Sequence, residues 1–138
     1  MEFRVLGPLQ VLDGGHLLDI PPTGKRATLL AALLVHHDRV VPAERLIGWL
    51  WGEEPSEAAA ATLRGHVWRL RGALKGGSEG EELLLTRGPG YELRVPPETL
   101  DALRFENDAE AGRALLASDP AAAASTLREA LCLWRGRA

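Results

Sequence analysis

Apolar residues recur at every second position near the start of the chain. Phe3 and Val5, then Leu9 and Val11, alternate with polar or small residues, the period of a half-buried strand. Gly7-Pro8 and Asp13-Gly14-Gly15 supply turns, His16 to Ile20 reads as a third strand, and Pro21-Pro22 ends the section. The period then lengthens. Ala27, Leu30, Leu33 and Leu34 form one stripe of a helix over residues 23–37, and Val40-Val41 is a brief extended link. A second helix begins near Pro42, with Leu46, Ile47, Leu50 and Trp51 on one face and Gly52 as its stop. Ser56 is suited to cap a third helix, and Glu57 suits the positive end of its dipole. Leu63, Val67, Leu70 and Leu74 make a single seam on that helix, which Gly76-Gly77 terminates. Residues 83–86 and 91–95 predict two strands joined by Arg87-Gly88-Pro89-Gly90, a hairpin.

Pro96-Pro97 marks a boundary, after which Ala, Leu and Glu dominate. Two helices are predicted over residues 102–117 and 120–134, the second opened by Asp119-Pro120, an N-cap followed by proline at the first helical position. The expected class is α+β in two domains, residues 1–97 and 98–138. Leu127, Leu131 and Trp134 form a stripe on the last helix, and Phe105, Leu115 and Leu116 are the large apolar groups of the one before it. A helix pair of this size cannot bury both faces alone. The stripe therefore covers either the first helix or N-terminal sheet of the same chain, or the same pair in a second copy. The short, stiff Pro96-Pro97 connection favours the first alternative, and with it a monomer in solution over a dimer.

Composition narrows the class. At 138 residues and 46% hydrophobic, the chain is expected to fold. No apolar run approaches the ~18 residues of a membrane span, and Met1-Glu2-Phe3-Arg4 lacks the form of a signal peptide. Cys132 is the sole cysteine, so no internal disulfide or cysteine-based zinc cluster is expected. These features predict a cytoplasmic protein.

The net charge of −3 conceals an asymmetry. Between Ala58 and Lys75 stand Arg64, Arg69, Arg71 and Lys75 with no acid, while acids gather at Glu53, Glu54, Glu57, Glu79, Glu81 and Glu82. With the leucine seam turned inward, the opposite face of the third helix centres on Ala61, Gly65 and Gly72. Thr62 and Arg69 flank that strip on one side, and Arg64, Trp68 and Arg71 on the other. Glycine inside a helix costs ~1 kcal/mol relative to alanine, and Gly65 incurs that on a face with no packing to gain. A bare strip would let the helix sink into the major groove of duplex DNA, with the arginines reaching phosphates or a guanine edge. The plainer reading is a solvated face with incidental charge. Trp68 either shields the edge of the seam, the favoured alternative, or meets the sugar-phosphate backbone. Arg87, just before the hairpin tip, is placed as a wing arginine for the minor groove or as an ordinary surface residue.

No enzyme chemistry emerges. Thr23-Gly24-Lys25-Arg26 fails as a phosphate loop, because Asp19 stands where the earlier glycine is needed and Arg26 where a Ser or Thr would hold magnesium. His36 and His37 point about 100° apart on a helix, and no third metal ligand is evident. No cofactor, metal site or catalytic triad is expected.

The order of elements resembles the OmpR-type winged-helix domain, a winged helix-turn-helix with an N-terminal antiparallel sheet, three helices and a C-terminal hairpin wing. The closer likeness is to the Streptomyces antibiotic regulatory protein family. It is carried by Phe3-Arg4-Val5-Leu6-Gly7-Pro8-Leu9, Gly24-Lys25-Arg26, Val40-Val41, Leu46-Ile47, Leu50-Trp51-Gly52, Thr62-Leu63-Arg64, Val67, Arg69-Leu70-Arg71 and Gly88-Pro89-Gly90-Tyr91. Leu100-Asp101, Arg104-Phe105-Glu106, Ala130-Leu131 and Leu133-Trp134-Arg135-Gly136 resemble the start of that family's bacterial transcriptional activator domain, a TPR-like array of helical hairpins. The resemblance implies an activator that binds direct repeats near a promoter's −35 region and recruits RNA polymerase holoenzyme. It implies base-facing roles for Thr62, Arg64 and Arg69, and backbone contacts for His66, Trp68 and Arg71. Trp68 stands where the family commonly has a small polar residue. The alternative function is an adaptor whose basic face binds another protein.

Overall fold

The structure is a computed structural model that describes residues 1–75 and 83–137. Its elements in chain order are β1 (Glu2–Arg4), β2 (Gln10–Asp13), β3 (His16–Leu17), α1 (Lys25–Val35), β4 (Val41–Pro42), α2 (Ala43–Trp51), α3 (Ala59–Lys75), β5 (Leu84–Arg87), β6 (Gly90–Leu93), a 3-10 turn (Pro97–Thr99), α4 (Asp101–Leu115) and α5 (Pro120–Leu131). The Gly76-Gly77 stop expected for α3 lies outside the described residues.

These elements divide into two compact units. One is Met1 with Leu12–Val95, and the other is Glu2–Val11 with Pro96–Ala138. Strand β2 belongs by its first two residues to the second unit and by its last two to the first.

In the first unit the predicted apolar stripes meet. Ala27, Leu30, Leu33 and Leu34 of α1, Leu46 and Leu50 of α2, and the whole α3 seam of Leu63, Val67, Leu70 and Leu74 are buried, joined by Leu29. Leu12 and Asp13 pair antiparallel with Leu17 and His16 around Gly14-Gly15. The other sheet runs β4-β6-β5, all antiparallel. Its hairpin has a two-residue loop, and Gly88 takes φ 54° at the first loop position, the conformation a tight hairpin with glycine first requires. Gly90 serves another purpose. A Cβ there would run into the backbone of Val41 and Pro42, so only glycine lets β6 lie against β4 at this register.

The α1 exit is fixed by Asp38, a non-glycine residue at φ 60°. Its N–H donates to Leu93 O at 2.8 Å, its Oδ1 accepts from Val95 N at 3.1 Å, and its Oδ2 sits 2.9 Å from His37 Nδ1. Those bonds hold the left-handed turn in place. Burial pushes the Asp38 carboxyl upward, but the hydrogen bonds from His37 and Val95 and the charges of His37 and Arg94 outweigh it. The group therefore lies below its ordinary value.

In the second unit α4 and α5 pack against each other and α4 against β1. Asp101 is 2% exposed. Its two carboxylate oxygens accept from Val5 N at 2.8 Å and Leu6 N at 3.0 Å. Phe3, fully buried, bridges to Leu100. At the far end Arg135 N donates to Leu6 O, and its guanidinium donates to Pro8 O and Gln10 Oε1. These bonds are why the first strand and the Gly7-Pro8 turn group with the helices beyond Pro96. Asp119 caps α5 as expected, accepting from Ala122 N at 3.1 Å. The stripe expected at Leu127, Leu131 and Trp134 is not covered within the chain. Leu131 and Trp134 are exposed at 62% and 44%, whereas Ala123, Ala130 and Gly112 are buried. A Cβ on Gly112 would crowd the Leu127 side chain at 2.6 Å, so the helices meet through small residues and leave the larger ones at the rim. Phe105 and Trp134 meet there edge to face, with centroids 5.7 Å apart.

Candidate nucleic-acid interface

Because the seam of α3 is consumed by the core, its remaining face is dictated by helical geometry. Ala61, Thr62, Arg64, Gly65, Trp68, Arg69 and Gly72 are exposed, and His66 and Arg71 are half-buried beside them. The helix carries no acid. Nothing stands within 4 Å of where a Cβ would be on Gly65 or Gly72, apart from the helix's own nearby backbone. Trp68 leaves 73% of its surface exposed. It does not shield the seam, which corrects the packing role expected for it. The Thr62 hydroxyl donates back to Ala58 O at 3.0 Å, so only its lone pairs face outward.

Arg71 is already engaged. Its Nε donates to Leu84 O at 3.1 Å and its Nη2 to Thr86 Oγ1 at 2.9 Å, both on β5. These bonds tie the hairpin to the exposed helix. The tip of the hairpin is held by Ala43 N, which donates to Pro89 O at 3.0 Å. Arg87 is exposed and pairs across to Gly90, next to the tip.

His66 lies half-buried at the edge of that face. It stacks on Trp51 at 6.4 Å between centroids, and Lys25 Nζ lies 5.5 Å above the same indole while donating to Leu50 O. Burial first, then the charges of Arg26, Arg69 and Lys25, hold the imidazole below its ordinary value. Both effects favour the neutral imidazole.

Sequence reasoning missed Arg26. It opens α1, and with Trp68, Arg69, Arg71, Gly72 and Ala73 it lines a cleft of about 330 Å³. The Gly24-Lys25-Arg26 run was the available signal, but nothing local says which helix those cations face. His36, set aside as a metal ligand, stacks on Trp49 at 5.2 Å. His37 instead sits beside Asp38.

Comparison with known proteins agrees with this architecture. Residues 18–93 match the family described as transcriptional regulatory protein, C terminal, and residues 100–138 match the bacterial transcriptional activator domain. The chain is 37% identical over 139 residues to the regulatory protein AfsR of Streptomyces griseus, covering 100% of this chain and 14% of that protein. It is 33% identical over 141 residues to the transcriptional regulator RedD of Streptomyces coelicolor, covering 100% of this chain and 40% of that protein. A solved structure of Mycobacterium tuberculosis EmbR in complex with a low-affinity phosphopeptide matches with a TM-score of 0.85 at 34% identity, over 98% of this chain and 36% of that one. The chain thus spans well under half the length of each of these proteins. Among the described residues no helix is long and apolar enough to cross a membrane. The chain belongs to the transcriptional regulatory protein C-terminal family, an OmpR-type winged helix joined here to a bacterial transcriptional activator domain, as in the Streptomyces antibiotic regulatory proteins.

Proposed function

We propose that the chain is a sequence-specific duplex-DNA binder that lays α3 into the major groove. The observation that carries this reading is the outer face of α3, where arginines flank an open glycine strip and no acid occurs on the helix. Gly65 and Gly72 admit the groove walls. Thr62, Arg64 and Arg69 face base edges, and His66, Trp68 and Arg71 lie toward the backbone, with Arg87 of the wing aimed at the minor groove. Extended to the activator domain, the reading is a cytoplasmic activator that binds direct repeats as head-to-tail copies, monomeric in solution, and recruits RNA polymerase holoenzyme.

Selecting duplexes from a random library tests this. A DNA reader enriches one sequence, and its affinity falls steeply with salt. Alanine at Arg64 or Arg69 should then cost ~1–3 kcal/mol and relax preference at one position. A chain that enriches nothing and binds no duplex at low salt is an adaptor, and the reading fails.

A further inference from the structure

The cleft between the first turn of α1 and the C-terminal half of α3 borders the base-reading face, with which it shares Arg69, and adds a cation from another helix. Three arginines line it, Arg26, Arg69 and Arg71. Arg71 is held in place by β5. The Arg26 Nε is buried with no hydrogen-bond partner among the described residues. A partly buried guanidinium without a counter-charge is costly, and an oxyanion in the cleft would supply that counter-charge to the side chain even though the Nε itself stays covered. One wall is Trp68, an indole with most of its surface open. At about 330 Å³ the cleft accepts a sugar-phosphate unit but not a protein element. Positive charge is dense enough here that Arg26 and Arg69 both hold down the titration of neighbouring His66, after its burial.

We propose that this cleft is a clamp for one backbone phosphate of the bound duplex, with Arg26 as its inner ligand and Trp68 against the adjoining sugar. The inference rests on the DNA reading above. Its effect is to fix register: α3 reads bases, while a phosphate held by α1, α3 and the β5-bound Arg71 sets where along the groove the helix sits. Affinity for any duplex would then depend on a residue that touches no base.

The test uses the full chain, its selected duplex and a random duplex. Arg26→Gln should weaken both duplexes by a similar factor of about tenfold and reduce the salt slope by about one. Arg26→Lys, which keeps the charge, should retain most of the affinity. A scan of single neutral methylphosphonates through the selected duplex should find one position whose penalty on the wild type disappears in Arg26→Gln. If Arg26→Gln does not fold, the same scan on Arg26→Lys should show that penalty reduced. The proposal is overturned if Arg26→Gln binds with unchanged affinity and slope, or if every methylphosphonate penalty adds to the loss in the variant. It is also overturned if inorganic phosphate at matched ionic strength stabilises the wild type but not Arg26→Gln, since the cleft would then serve a free anion. A wild type that binds no duplex sinks the DNA reading itself and this proposal with it.

Discussion

Gly65 separates stability from function in a single substitution. It sits inside α3, where glycine is less favourable than alanine by about 0.8–1.0 kcal/mol. Nothing beyond the helix's own backbone lies within 4 Å of its missing Cβ. Alanine there meets no neighbour, so the propensity gain should appear undiminished. For a unit of this size, about 1 kcal/mol corresponds to a melting temperature higher by roughly 4–8 °C. Gly65→Leu should keep most of that gain, because leucine ranks just below alanine in helices. DNA binding should move the other way. If the bare strip lets the helix approach the groove floor, a leucine overfills a packed interface at a cost of about 1–3 kcal/mol, or roughly 5- to 150-fold in affinity. Both quantities can be read on one sample, by thermal melting followed by fluorescence anisotropy with the selected duplex. Gly72→Ala is the control for the stability half alone, since its Cβ position is equally open. A Gly65→Leu protein that melts higher and binds DNA as tightly as wild type would refute the close-approach argument. One that melts lower would mean the exposed face is occupied in the free protein.

Three further outcomes follow from the geometry. Arg71→Ala should free β5 from α3 and destabilise the first unit by about 1–3 kcal/mol, and Arg71→Lys should not restore it, because one ammonium cannot reproduce the two-armed contact to Leu84 O and Thr86 Oγ1; thermal melting of both variants checks this. His66 is held below its ordinary value of 6.5, so on acidification the unfolded chain takes up the proton first. Its contribution to stability is therefore full above about pH 6.5 and falls as the pH drops through that value toward the folded one. A nearby phosphate would raise the imidazole, so DNA affinity at fixed ionic strength should increase from about pH 8 to about pH 6, and the trend should flatten in His66→Gln. Asp101→Asn should cost about 1–3 kcal/mol, because an amide offers one acceptor where Val5 N and Leu6 N each find a carboxylate oxygen. Denaturant unfolding followed through Trp134 measures that loss.

Most of the winged helix was legible because its signals are local. A seam at Leu63, Val67, Leu70 and Leu74 can only be a helix face, and Gly88-Pro89-Gly90 can only be a tight turn. The small-residue seam between α4 and α5 was not legible. Ranking residues by size singled out Leu127, Leu131 and Trp134 as a stripe that covers another surface, but two helices that approach closely bury their smallest residues. Gly112, Ala123 and Ala130 carry no such signal in a stretch with alanines on every side of both helices. The grouping of β1 with the helices beyond Pro96 was not legible either. It rests on Asp101 reaching Val5 and Leu6, 96 and 95 residues away, and a lone aspartate in a sequence reads as a cap.

The candidate site divides along the same line. Helical arithmetic put Thr62, Arg64, Gly65, Arg69 and Gly72 on the outer face, and there they lie. What it could not supply was the partner of each side chain. Arg71 was an arginine on a basic helix until β5 came up beside it and took two of its donors. Trp68 was ambiguous because an indole at the edge of a seam packs as readily as it projects, and only the tertiary placement decides. Arg26 was invisible because its neighbours on α3 are some forty residues away and nothing in its own stretch points to them. The residues that set a helix's register on a ligand are those brought in from other elements, and a reading confined to one helix finds the surface without finding what aligns it. The charge on α3 therefore argues for a polyanion, whereas the meeting of α1 and α3 at one cleft, with Arg71 anchored by β5, argues for one held in a fixed place.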